Sequence, residues 1–185
     1  ANNDWSDTKV FKQFRPDDEL IDQHYDELSD IWDALIEVRP DLKRDPPTMR
    51  CHDEHDVDCQ DSALFWPITQ ELVARVARRL LDERSGSTAG RLGLLADLEM
   101  SLHEAPWRNL VLVPDGEGSW RMRSEDRKAA VDLAEQIIWW QLSLAPLNAD
   151  ELKRLRKSWE ALLMGNLSEN ERDGLWRAIE EGRVT

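Results

Sequence analysis

The stretch SEDRKAAVDLAEQIIWWQLSL, residues 124–144, decides the fold. Ser124 stands where a helix cap would, and the helix it opens runs to about residue 144. Its middle is apolar nearly all round the axis, which predicts a central helix covered by neighbours. The most apolar run, IIWWQLSLAPL at 137–147, is interrupted by Gln141, Ser143 and Pro146. It falls short of the roughly 20 residues needed to span a bilayer.

Working outward, Asn148 with Glu151 and Ser168 with Glu171 each place a cap and an acid three residues later, so two more helices follow. Gly165 and Gly182 are their expected stops. On the other side, NLVLVPDGEGSWRMR at 109–123 alternates apolar and other residues around a Pro-Asp-Gly-Glu-Gly turn, a β-hairpin pattern. Residues 91–104 read as a helix carrying Leu92, Leu95, Leu98 and Leu102. SGSTAG at 85–90 separates it from a helix over 67–84, in which Pro67 suits the first turn and Ile68, Leu72, Val76 and Leu80 recur at i+4.

Residues 17–38, DDELIDQHYDELSDIWDALIEV, are strongly amphipathic. Ile21, Tyr25, Leu28, Trp32 and Leu35 form a stripe that Leu20, Ile31 and Ile36 widen. Pro40 closes this helix, and residues 39–62, with Pro40, Pro46 and Pro47, read as a long acidic loop. The expected fold is therefore mainly α: a single-domain bundle of about six helices over 17–185, one small hairpin at about 109–123, and an N-terminal extension over 1–16.

Composition limits the function classes. The apolar share of 41% supports a real core despite 34% charged residues. Two cysteines do not make a disulfide-rich scaffold, and no secretory leader is evident, which points to a soluble cytoplasmic protein. Arg outnumbers Lys by 18 to 6, a bias of G+C-rich coding that suits a bacterial source. The net charge of −14 is unevenly spread: residues 1–62 hold 18 acids against 7 bases, whereas 63–185 hold 20 against 17. An anionic N-terminal third repels nucleic acid phosphates and favours basic partners or cations.

Both cysteines and two of the four histidines fall within MRCHDEHDVDCQD, residues 49–61. Cys51, His52, His55 and Cys59 are zinc-binding types, and four such ligands would complete a tetrahedral site. Within one helix Cys51 and Cys59 would stand about 12 Å apart along the axis. That excludes both a shared zinc, whose thiolates lie about 4.6 Å apart, and a disulfide. A reversing loop permits either, and an acidic loop with no ligand is the third reading. Paired C-x-x-C knuckles are missing, and adjacent Cys51 and His52 point apart in extended backbone.

A second metal constellation would need His24 and Glu27 of the 17–38 helix to meet Glu99 and His103 of the 91–104 helix, as in bundle metal sites. No G-x-S-x-G, glycine-rich phosphate loop or H-E-x-x-H is present. A thiolate–imidazole pair in 51–59 would be blunted by the surrounding acids, which raise the thiol pKa.

Nine tryptophans stand in the chain. Trp32, Trp139 or Trp140, Trp159 and Trp176 lie on apolar helix faces and are expected in the core, whereas Trp5 and Trp120 lie outside helices. The helix over 17–38 has nine acids and no Lys or Arg, so it lacks the i,i+4 pairing of an ordinary surface helix. Its polar face, with Asp22, Asp26, Asp30 and Asp33, is either a solubilising surface or a dock for a basic protein. KRLRKSW at 153–159 has the opposite sign, and Lys153, Arg154, Arg156 and Lys157 would meet phosphate, or pair with the acidic helix in the same chain or a second copy.

These readings lead to a non-catalytic interaction or regulatory protein whose acidic helix faces a basic partner. The alternative is a metal protein holding zinc or a carboxylate–histidine site, including a metal-dependent hydrolase. A third is a nucleic-acid-associated subunit.

Overall fold

A computed structural model describes residues 17–43, 62–115 and 120–184. Its architecture is mainly helical with one small antiparallel sheet, as the periodicities predict. The described residues form six α-helices: α1 (Asp18–Val38), α2 (Pro67–Glu83), α3 (Thr88–Leu92), α4 (Arg127–Gln141), α5 (Ala149–Leu162) and α6 (Glu169–Glu181). Strands β1 (Leu112–Pro114) and β2 (Trp120–Met122) pair in the register Leu112–Met122, Val113–Arg121 and Pro114–Trp120. Residues 116–119 of the predicted turn lie outside the described residues, as do the extension 1–16 and most of the acidic loop.

Helix α4 is central, as its all-round apolar pattern requires. Ala130, Val131, Leu133, Ala134, Ile137, Ile138 and Trp140 are all buried. Helix α2 packs on one side of it through Leu72, Val76 and Leu80, with Pro67 in its first turn. Arg75 ties the pair, donating from Nη1 to Asp132 at 3.2 Å and Glu135 at 3.1 Å, and from Nη2 to Glu71 at 2.6 Å. On the other side Trp140 stacks on Trp176 of α6 (ring centroids 6.4 Å), and Trp159 of α5 packs against Trp176 at 5.3 Å. Three of the tryptophans expected inside thus weld the C-terminal helices to the centre.

Both predicted capping boxes form. The Asn148 side chain accepts from the Asp150 and Glu151 amides while Glu151 accepts from the Asn148 amide, and Ser168 with Glu171 repeats the arrangement. Ser124, by contrast, does not cap α4. The helix starts at Arg127, behind Asp126 in a left-handed conformation (φ 47°). The cause is Arg123, whose buried guanidinium donates to the carbonyls of Glu125, Leu110 and Leu162, so the chain wraps around it before the helix begins. Gly165 has φ 104°, and a Cβ there would meet Asn109 Nδ2 at 3.0 Å and Pro114 Cγ at 3.2 Å. Only glycine lets the α5–α6 link lie so close to the start of the hairpin.

The helix expected over 91–104 is much shorter. After α3 a 3₁₀ turn over Gly93–Asp97 carries the chain to Leu98, and residues beyond it are irregular. Leu92, Leu95 and Leu98 are all buried, and their strict i+3 spacing suits the 3₁₀ turn, where such side chains align. The backbone beyond finds partners other than a helical ladder: Trp107 Nε1 donates to the Glu99 carbonyl at 2.7 Å, and the Ala63 amide donates to Met100 O at 2.7 Å. Arg39, at the end of α1, donates to the carbonyls of Leu95, Ala96 and Leu98. Its other edge holds Asp41 in a two-bond fork at 3.0 and 2.9 Å. One guanidinium thereby docks the C-terminal end of α1 on the 3₁₀ segment.

Candidate interaction surface

Helix α1 is held by its C-terminal half. Ala34 is buried, and Ile31, Leu35 and Val38 are partly buried against the core. The stripe defined by Ile21, Tyr25, Leu28 and Trp32 does not follow them inside. These side chains are 38%, 69%, 66% and 53% exposed, and they are the large exposed apolar side chains among the described residues. The expectation that Trp32 packs in the core is therefore corrected.

Helical geometry gives the reason. At about 100° per residue, Ile31, Ala34 and Val38 fall in a sector roughly 110° around the axis from the centre of the exposed stripe. Asp22, Asp26, Asp30 and Asp33 fall roughly 130° from the stripe on its other side. Helix α1 thus has three faces: one docked on the fold, one apolar and open, and one acidic. A two-faced amphipathic reading merges the first two. The signal for three was the width of the stripe, since Ile31, Leu35 and Ile36 extend it beyond what a single contact needs.

Between α1 and α2 lies an apolar groove of about 520 Å³. Leu28, Trp32 and Leu35 form one wall and Val73, Ala77 and Leu81 the other. Its polar lining is Gln70, which donates to the Leu64 carbonyl, and Arg78, which is paired with Asp82 at 2.9 Å.

The acidic face lacks partners. Among the described residues, Asp22, Asp26, Asp30 and Asp33 make no side-chain hydrogen bond or ion pair. Charges elsewhere are largely matched. Arg121 clamps Glu125 with two bonds of 2.9 and 3.1 Å and holds its carboxyl down at about 2, and the Ser168 hydroxyl and amide hold Glu171 below the usual carboxylate range. Arg156 pairs with Glu160 at 2.8 Å and with Asp173. Its partners are thus on α5 and α6, not on the acidic helix, and Lys153, Arg154 and Lys157 remain exposed with no ion pair among the described residues.

The metal candidates divide. Cys51, His52, His55 and Cys59 lie outside the described residues. His24 and Glu27 do sit together on α1, Nδ1 to Oε2 3.5 Å, both well exposed. Glu99 and His103 do not join them. The Glu99 carboxylate accepts from the Ser101 amide at 2.6 Å, and His103 meets Trp120 edge to face with centroids 6.1 Å apart. Because 98–111 is not helical, the predicted shared face does not exist. No group of three or more His, Cys, Asp and Glu side chains among the described residues is arranged to hold a metal ion. No described helix is long and apolar enough to cross a membrane.

Trp120 is half-buried, with the Arg108 guanidinium 4.9 Å from its ring centroid, so it is a packing residue more than a free contact. Comparison of the chain with protein-family models, curated proteins and solved structures returned no match.

Proposed function

We propose that the protein is a non-catalytic interaction or regulatory module that presents the acidic face of α1 to a basic protein partner. The observation that supports this reading is the contrast in charge pairing: Arg75, Arg78, Arg79, Arg121 and Arg156 sit opposite carboxylates, whereas Asp22, Asp26, Asp30 and Asp33 stand together, exposed and unmatched among the described residues. Four like charges along one helix cost stability through mutual repulsion, and a basic surface would convert that cost into attraction and a faster encounter.

The test is charge reversal. Asp22→Lys, Asp26→Lys and Asp30→Lys together should abolish recovery of the partner in a pull-down, while far-ultraviolet circular dichroism stays unchanged. Recovery of every partner by the reversed protein would remove the reading. A second reading, contact of the 153–157 helix face with a polyanion such as nucleic acid, is supported by the exposure of Lys153, Arg154 and Lys157. Zinc held by Cys51, His52, His55 and Cys59 is a proposal from sequence spacing, and elemental analysis of protein purified without chelator tests it.

A further inference from the structure

The acids of α1 are not the whole of its free surface. Beside them runs the open stripe of Tyr25, Leu28 and Trp32, and beyond it the groove to α2. Over Ile21 to Trp32 this stripe extends about 17 Å, roughly three helical turns. Exposed apolar area of this kind, rimmed by charge, marks a docking surface.

The chemistry of the groove restricts its occupant. A small molecule would need convergent polar groups to orient it. The groove offers only Gln70 and Arg78, both already engaged. A second copy laid stripe to stripe would bring together two helices with nine acids each and no Lys or Arg. What fits is a helix with one apolar face and basic flanks. We propose that the groove between α1 and α2 takes a basic amphipathic helix of the partner protein. Its apolar side chains enter beside Leu28 and Trp32, and the edge that lies over Tyr25 carries basic residues toward Asp22, the nearest of the four acids to the stripe. This rests on the acidic-face reading and adds the partner's shape and its apolar half.

Synthetic helical peptides of about 18 residues serve as probes, followed by fluorescence anisotropy. One has a leucine face at i, i+3, i+4 and i+7 with lysines elsewhere, a second replaces leucine by glutamine, and a third replaces lysine by glutamate. The leucine–lysine peptide should bind at least about tenfold tighter than either other. Leu28→Ser with Trp32→Ser should weaken it about tenfold, and Ala74→Trp, which fills the groove from α2, should do the same. These positions are exposed or at the rim, and unchanged circular dichroism shows that each variant folds.

Equal binding of the leucine–lysine and glutamine–lysine peptides would overturn the groove proposal and leave the acidic-face reading standing. Equal binding of the leucine–lysine and leucine–glutamate peptides would instead remove the acidic-face reading. Residues 9–15, KVFKQFR, share the partner's chemistry. If the peptide binds only after Phe11→Ser and Phe14→Ser, the groove belongs to that segment and the proposal fails. It also fails if light scattering finds a dimer that the Leu28→Ser, Trp32→Ser protein loses.

Discussion

Arg123 shows how one side chain organises its surroundings. It is 5% exposed, yet it carries a charge into the interior and spends its donors on the carbonyls of Glu125, Leu110 and Leu162. Burial pulls its pKa below the ordinary arginine value, and the nearby Asp126 and Glu125 oppose that shift. Arg123→Met keeps much of the apolar stem but leaves three carbonyls without their donor. We expect a loss of about 3 kcal/mol in urea unfolding, with Arg123→Lys recovering only part because an ammonium lacks the fork. In the sequence Arg123 is one more arginine alternating with Trp120 and Met122. Its burial was illegible because one of its acceptors, the Leu162 carbonyl, comes from 39 residues away.

At the scale of elements, what local chemistry controls was readable. The two capping boxes, Pro67 in the first turn of α2 and the alternation of the hairpin all depend on residues within one turn of each other. The segment after α3 was not, because Arg39 and Trp107 reach its carbonyls from outside and replace a helical ladder. Helix α1 was half legible: its bounds and acids were plain, but the face it buries was not. That difference has a measurable consequence. Leu28→Ser or Trp32→Ser should change the stability of the protein by less than about 0.5 kcal/mol, as surface substitutions do. Ile137→Ala, at a site with no solvent exposure, should cost about 2–5 kcal/mol in the same unfolding experiment. A large loss at Leu28 would mean that the stripe is covered.

At the scale of the whole molecule, the nine acids of 17–38 stand on the same helix as the exposed apolar stripe. Electrostatic attraction at the acidic face is exposed to solvent and falls with ionic strength, whereas burial of Leu28 and Trp32 does not. Binding of the leucine–lysine peptide should therefore weaken between low salt and about 0.5 M salt but persist, while any binding of the glutamine–lysine peptide disappears. Isothermal titration at both salt concentrations checks this. A complete loss of both would reduce the contact to charge alone.

By itself the sequence determined the helical class, the central place of the helix within 124–144, the two capping boxes, the hairpin and the anionic bias, because periodicity, capping and net charge are properties of neighbouring residues. Only the tertiary structure decided that α1 docks through Ile31, Ala34 and Val38 and leaves Tyr25, Leu28 and Trp32 in solvent. An apolar stripe states that a surface avoids water, but which surface covers it depends on where the rest of the chain stands. Here Ile31, Ala34 and Val38 pack on the core, α3 lies against α1, and Arg39 fastens the end of the helix to the 93–98 segment, which together leave the stripe and the acids facing outward.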